Sequence, residues 1–220
     1  MSRQELELDV LLRVLANVPR ETAHMIDEYN ADHTGWARFS NDRTLRFRLA
    51  RSLTGAPLVI QKRTGFVKSD RGCVFLMLNP STANAFQNDP TIRRGMGFGR
   101  AWGCDVYQAV NLHPIMSTDP GALVAWCARP RTVEDHANRE QIRLACVGAR
   151  YVIAAWGTHG RRGAQGDLIR SWCASAGIRL HHLGLTQEGH PKHPLYLRAD
   201  TVPRAWTEGD TGSAPRRRSA

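Results

Sequence analysis

"VFLMLNPSTA", residues 74 to 83, runs five apolar residues, Val74-Phe75-Leu76-Met77-Leu78, into an Asn-Pro-Ser-Thr turn. A run of that length without alternation reads as a strand buried on both faces, the pattern of a parallel sheet covered by helices. Three more apolar segments follow it: "VYQAVN" at 106–111, "RYVIAA" at 150–155 and "IRLHHL" at 178–183. Helical patterns separate them. "DPTIRRGMGFGRAWG" opens with Asp89 as N-cap and Pro90 at the first helical position, and "DPGALVAWCA" repeats the signal from Asp119. "TVEDHANREQIRLACVGA" and "AQGDLIRSWCASAG" are amphipathic. Strands alternating with helices imply a parallel sheet with helices on both faces, so the predicted fold is a three-layer α/β/α sandwich around a mostly parallel four-stranded sheet.

Upstream the pattern differs. "ELELDVLLRVLANVP", residues 4–18, places Leu8, Leu11, Leu12, Leu15 and Val18 at helical spacing, and "ETAHMIDEYN" reads as a second short helix. From "TLRFRLARSL" the period is two: Leu45, Phe47 and Leu49 alternate with Thr44, Arg46, Arg48 and Ala50, which predicts a half-exposed strand. "PLVIQKRTGFV" extends it as an antiparallel hairpin at a sheet edge. The predicted plan is a helical extension over 1–43, an α/β domain over 44–206 and a disordered basic tail over 207–220.

Length and composition suit one globular domain: 220 residues, 42% apolar, can fill a core. No run approaches a membrane span, and "MSRQELELDV" carries acids where a signal peptide would be basic and then apolar, so a cytoplasmic protein without membrane partners is expected. The five cysteines are odd in number, widely spaced and free of any C-x-x-C pair, which argues against a disulfide framework, a zinc ribbon or an iron–sulfur cluster. Buried thiols are expected instead, with no cofactor and no metal. A formal charge of +10 favours a polyanionic partner, nucleic acid first, although "PRRRSA" at the C-terminus supplies part of the surplus without defining a groove.

In an open parallel sheet, ligands bind beyond the carboxyl ends of the strands. Those positions hold Asn79-Pro80-Ser81-Thr82, Asn111-Leu112-His113-Pro114, Trp156-Gly157-Thr158-His159 and the loop "GLTQEGHPKHPLYL". Four strand ends thus deliver Asn, Asn, Trp-Gly and a His-Pro loop to one rim, and together they mark a site.

The motifs "LMLNPSTA", "NDPTIRR", "VNLHP", "AAWGTHG" and "GLTQEGHPKHPLYL", in this order, resemble an uncharacterised bacterial and phage family, a numbered domain of unknown function. That family in turn is similar to a distant branch of the uracil-DNA glycosylase superfamily, whose members excise bases from DNA. The resemblance implies that Asn79, in an Asn-Pro turn after the first strand, holds the hydrolytic water. It implies that Asn111 reads the flipped base and that His193, in "KHPLYL", donates to the base carbonyl. Met77 stands where the superfamily has a glycine, and Leu195 where it has a serine.

The residue types agree with that chemistry. Hydrolysis of an N-glycosidic bond passes through a cationic sugar and needs a placed water and a stabilised anionic leaving base. The Asn79 amide oxygen can orient water but cannot take its proton, so a slow enzyme is expected. A His193 donor aimed at a carbonyl where charge develops is an oxyanion-type contribution. Asn111 offers donor and acceptor to a pyrimidine edge, and Phe86, with Phe98 second, is the candidate aromatic floor. Pro80, Ser81, Trp156, Gly157, Lys192 and Tyr196 complete the expected substrate-binding set. Plainer roles stand beside these: a turn cap for Asn79, a structural histidine for His193, core packing for Phe86 and Trp156. His190 and His193 form an H-x-x-H without a third ligand, and Ser81 lies outside any G-x-S-x-G elbow.

The expected function is a monofunctional DNA glycosylase acting, as a monomer, on a damaged or modified base, with single-stranded or modified phage DNA among its partners. A non-catalytic nucleic-acid-binding module of the same fold, or a hydrolase of free modified nucleosides or nucleotides, are the alternatives.

Overall fold

The computed structural model describes residues 25–160, 165–207 and 210. The helix read at 4–18 and nearly all of the tail lie outside them. Within them is a mixed α/β fold on one large eight-stranded sheet of order β1-β2-β3-β7-β6-β8-β9-β10. Its strands are β1 (Met25–Tyr29), β2 (Gly35–Ser40), β3 (Arg46–Ser52), β6 (Cys73–Met77), β7 (Val106–Asn111), β8 (Tyr151–Ala154), β9 (Leu180–His182) and β10 (Arg204–Ala205). A separate hairpin pairs β4 (Ile60–Gln61) with β5 (Phe66–Val67). The helices are α1 (Pro90–Ala101), α2 (Pro120–Ala128), α3 (Val133–Cys146) and α4 (Gln165–Ser175).

The four parallel strands fall where the apolar runs put them. β7, β6, β8 and β9 are mutually parallel, and the sheet alternates sides strictly along β6. Cys73, Phe75 and Met77 pack with Ile92, Met96 and Phe98 of α1, whereas Val74 and Leu76 pack with Ile142 of α3 and Ile169 and Cys173 of α4. Both faces of the strand are therefore dry, which is why its sequence does not alternate. Asp89 and Asp119 cap α1 and α2 as read, accepting from Ile92 N and Gly121 N at 2.8 Å each.

The expected four-stranded sheet is corrected to eight. Three antiparallel strands, β1 to β3, extend it beyond β7, and β10 adds to β9 at the other edge. Residues 25–29, read as part of a short helix, are the edge strand β1, paired with β2 from Met25↔Ser40 to Tyr29↔Trp36. The sheet thus takes in residues assigned to the helical extension. "PLVIQKRTGFV" does not continue β3; it forms the small separate hairpin.

β3 is also buried throughout rather than half-exposed, because it lies between β2 and β7 with both faces covered. Arg46 and Arg48 are 1% and 0% exposed. Arg48 donates from Nε to Gln108 Oε1 at 2.9 Å and lies over the Trp36 ring, with Arg38 near the same indole. Four arginines, at 38, 46, 48 and 51, are interior, so the formal charge overstates the basic surface that a polyanion would meet.

Pairing of β2 with β3 contains an extra residue: Arg38 opposes Arg48 but Phe39 opposes Arg46, leaving Phe47 as a bulge. Strict alternation would put Arg46 on the same face as Arg48. The bulge reverses that and turns Arg46 to the opposite face, toward the carboxyl end of β6.

Candidate functional site

Chain order reverses at β6. The crossover to β7 runs through α1 on one face, and the later crossover to β8 runs through α3 on the other, so β6 and β8 flank a topological switch point. The turns after two such strands part in opposite directions and leave a crevice. A cleft of about 490 Å³ opens there, lined from β6 by Met77, Leu78, Asn79, Pro80 and Ser81 and from β8 by Trp156, Gly157, Thr158 and His159. Arg46, Asp89, Thr91, Ser117, Thr118 and His193 close its other sides. That volume suits a small organic ligand.

Asn79 is fixed by its donor. Its Nδ2 donates to Ser117 O at 2.8 Å and to Pro80 O at 3.2 Å, with Ile115 O at 3.5 Å, tying the β6 turn to the segment after β7. Three carbonyls around one nitrogen set the amide's orientation, and Oδ1 is left as its acceptor. The residue is thus both the turn cap of the plain reading and an oriented acceptor in the cleft.

His193 arrives on a loop anchored over α1. Arg94 donates to Leu197 O, and Trp102 Nε1 donates to Thr201 O at 3.1 Å. Leu197 packs on the α1 cluster. Gly157 N–H donates to Pro191 O at 2.9 Å, joining the same loop to the β8 turn, and Gly157 adopts φ 70°, a conformation glycine takes without strain. His193 caps the short 3-10 turn Pro194–Tyr196, its Nδ1 accepting from Leu195 N at 3.4 Å. An imidazole that accepts at Nδ1 carries its proton at Nε2 when neutral, so it presents a donor. Burial pushes its pKa below the ordinary 6.5, against an opposing pull from Asp89.

The remaining expectations divide. Pro80, Ser81, Trp156 and Gly157 line the cleft with Asn79 and His193. Lys192 and Tyr196 point outward, Tyr196 being 86% exposed. Phe86 is 64% exposed and is not a floor: Asn84 Oδ1 accepts from the backbone N–H of both Phe86 and Gln87, an Asx turn that throws the ring to solvent. Phe98 is core. The aromatic wall is Trp156, 5% exposed and 5.8 Å from the Trp206 ring centroid. Asn111 is fully buried beside Met77 and does not line the cleft; neither end of its amide has a hydrogen-bond partner. Sequence reading missed Arg46, Asp89, Thr91, Ser117 and Thr118 as site residues.

Trp156 is held by Gly160. A Cβ on Gly160 would lie 1.8 Å from Trp156 Cδ1, whereas one on Gly166 would lie 3.3 Å from the same ring. Gly160→Ala is expected to displace the indole and to destabilise the fold by about 1–3 kcal/mol, with a smaller effect from Gly166→Ala. Urea unfolding with tryptophan emission reads both; a Gly160→Ala variant indistinguishable from wild type would mean that the ring is not wedged there.

Three histidines share a pH response. His181, His182 and His193 all lie below the ordinary 6.5, chiefly through burial, and His182 Nδ1 also accepts from Gly184 N at 3.0 Å. Each binds its proton less readily folded than unfolded, so its stabilising contribution is complete above about pH 6.5 and is lost as pH falls through the lower folded value. Melting temperature is expected to be level from pH 8 to 7 on their account and to fall progressively below 6.5. The depressed Asp135 responds only below the ordinary carboxylate value of 3.8. Replacing His182 with Gln should flatten the histidine limb; an unchanged slope would exclude it as a contributor.

An open-sheet α/β protein with a polar cleft at its switch point is the class that fold and site define. The chain belongs to the family described as "Protein of unknown function (DUF1643)", which matches residues 58–195. No curated protein and no solved structure matches it. Among the described residues no helix is long and apolar enough to cross a membrane.

Proposed function

We propose that the chain is a DNA glycosylase-like hydrolase that cleaves the N-glycosidic bond of a damaged or modified base, a pyrimidine by preference, after flipping it from the helix. The observation that carries this reading is the convergence of Asn79, Trp156 and His193 on one cleft from three separate strand ends, with Asn79 oriented by its donor and His193 presenting Nε2–H. In this reading the C1′–N bond breaks with its electron pair leaving on the base. Water held by Asn79 Oδ1 adds its oxygen to C1′, and its proton ends on the base. His193 donates to the base carbonyl as charge develops, and Trp156 flanks the base. The distant resemblance to uracil-DNA glycosylases supports the same assignment, and helices packed on both faces of β6 are compatible with the three-layer sandwich proposed with it.

Asn111 would join this scheme only if the base edge reached it: its amide is fully buried outside the cleft with both ends unpartnered, which is costly.

The test is a panel of single- and double-stranded oligonucleotides carrying different modified pyrimidines, read by alkaline cleavage at abasic sites. Excision from at least one that is lost in Asn79→Ala is the expected result. Salt-dependent binding without excision would favour the non-catalytic module, and release of base only from free nucleosides would favour the nucleoside hydrolase.

A further inference from the structure

Among the four interior arginines of β2 and β3, three have a side-chain acceptor. Arg38 pairs with Asp27 at 2.7 Å, Arg48 with Gln108 at 2.9 Å and Arg51 with Asn88 at 2.8 Å. Arg46 differs. Its Nη1 donates to Ala83 O at 2.7 Å; its Nε has no partner, as Arg48 Nη1 has none, but Arg46 alone of the four lines the cleft, while remaining 1% exposed.

A buried guanidinium is ordinarily matched by a carboxylate, because desolvating an unmatched charge is expensive. Asp89, in the same cleft, draws on it electrostatically but is engaged as the cap of α1 and is not in ion-pair contact. Burial pushes the Arg46 pKa down to about 10, so the group still carries its charge at neutral pH. The β3 bulge aims this cation at the crevice.

We infer that Arg46 is an anion-holding residue of the cleft and that the anion it takes is the departing base. This rests on the glycosylase reading. When the C1′–N bond breaks, the base carries a single delocalised negative charge, and a planar, delocalised guanidinium matches such an anion in geometry and charge. A phosphate dianion suits the site less well, because Asp89 shares it. Arg46 and His193 then act on the leaving group, and Asn79 acts on the water.

The experiment measures binding of 5-nitrouracil, an acidic pyrimidine that is already an anion at neutral pH, against neutral uracil and inorganic phosphate, by calorimetry on the full chain. Asp89, His159 and His193 also line the cleft, so the two ligands are compared at one pH above the ordinary histidine range and below the ionisation of uracil, where 5-nitrouracil is an anion and uracil is neutral. The wild type should bind 5-nitrouracil more tightly than uracil. Arg46→Gln should lose at least about tenfold of that affinity, and Arg46→Lys should lose less. Since Arg46 also holds Ala83 O, thermal melting of each variant is recorded; if Arg46→Gln fails to fold, Arg46→Lys and the wild-type preference decide. Equal binding of 5-nitrouracil and uracil, no binding of 5-nitrouracil, or an Arg46-dependent site for phosphate alone would overturn the inference. A protein that binds 5-nitrouracil through Arg46 but excises no base keeps the anion site and loses the glycosylase reading. Wild-type excision by a folded Arg46→Gln variant keeps that reading and loses the anion site.

Discussion

Asn79→Asp is expected to lower excision rather than raise it, and to destabilise the protein. The general chemistry points the other way, since a carboxylate can accept the proton of water and an amide cannot. Geometry decides against the carboxylate here. The position of Asn79 Nδ2 lies 2.8 Å from Ser117 O and 3.2 Å from Pro80 O, so an aspartate would bring an oxygen against two carbonyl oxygens. Either the acid stays protonated and supplies no base, or it ionises and opens the turn. Loss of the hydrogen bond and the unmatched carbonyl correspond to about 1–3 kcal/mol in unfolding. A displaced water on top of that corresponds to at least about 100-fold in rate. Asn79→Ala should lose a similar factor in rate while leaving DNA affinity within a few fold, because no DNA contact is assigned to it. Unfolding free energies and single-turnover excision of the two variants check this. A faster Asn79→Asp enzyme would show that the turn yields to the charge and that base strength limits the rate.

Much of this architecture is legible in the sequence because it is locally encoded. The four parallel strands announce themselves as unbroken apolar runs, and α1 and α2 as Asp-Pro starts. What escaped is set by long-range pairing. In "MIDEY", Met25, Ile26 and Tyr29 have a spacing that suits a helix as well as a strand, and only the pairing with β2 makes it β1. Arg46 and Arg48 alternate with Phe47 and Leu49, the ordinary mark of a solvent face, yet β3 is interior because β2 lies beyond it. No local feature reports that a strand has neighbours on both sides, and none reports a bulge, so the cation in the cleft had no signal. Asn79, Trp156 and His193 can be placed on one rim from the sequence because strand ends and turn residues are local, and all three line the cleft. Proximity in sequence to Asn79 suggests Phe86 for the pocket but says nothing of the Asx turn that turns it outward.

The second large effect is expected at His193, where two roles have to be separated. The ring lines the cleft and caps the Pro194–Tyr196 turn through Nδ1, which leaves the proton of the neutral ring on Nε2. His193→Ala removes both. His193→Asn keeps a side-chain oxygen that can accept from Leu195 N, as asparagine does at helix starts, but it is too short to deliver a donor where Nε2 stands. If the donor stabilises charge on the leaving base, both variants should slow excision by about 10²–10³-fold, and the loss should be greater for a base that leaves reluctantly than for an acidic one. Arg46 would still hold part of the anion in each variant, so activity should not vanish on the acidic substrate. If instead the histidine only fixes the loop, His193→Asn should keep near wild-type rates while His193→Ala loses activity and melting temperature together. The pH profile gives an independent reading: with the imidazole neutral by burial, wild-type excision should be level through neutral pH and should change only below 6.5, and that acid limb should disappear in His193→Asn. A limb that persists belongs to another group.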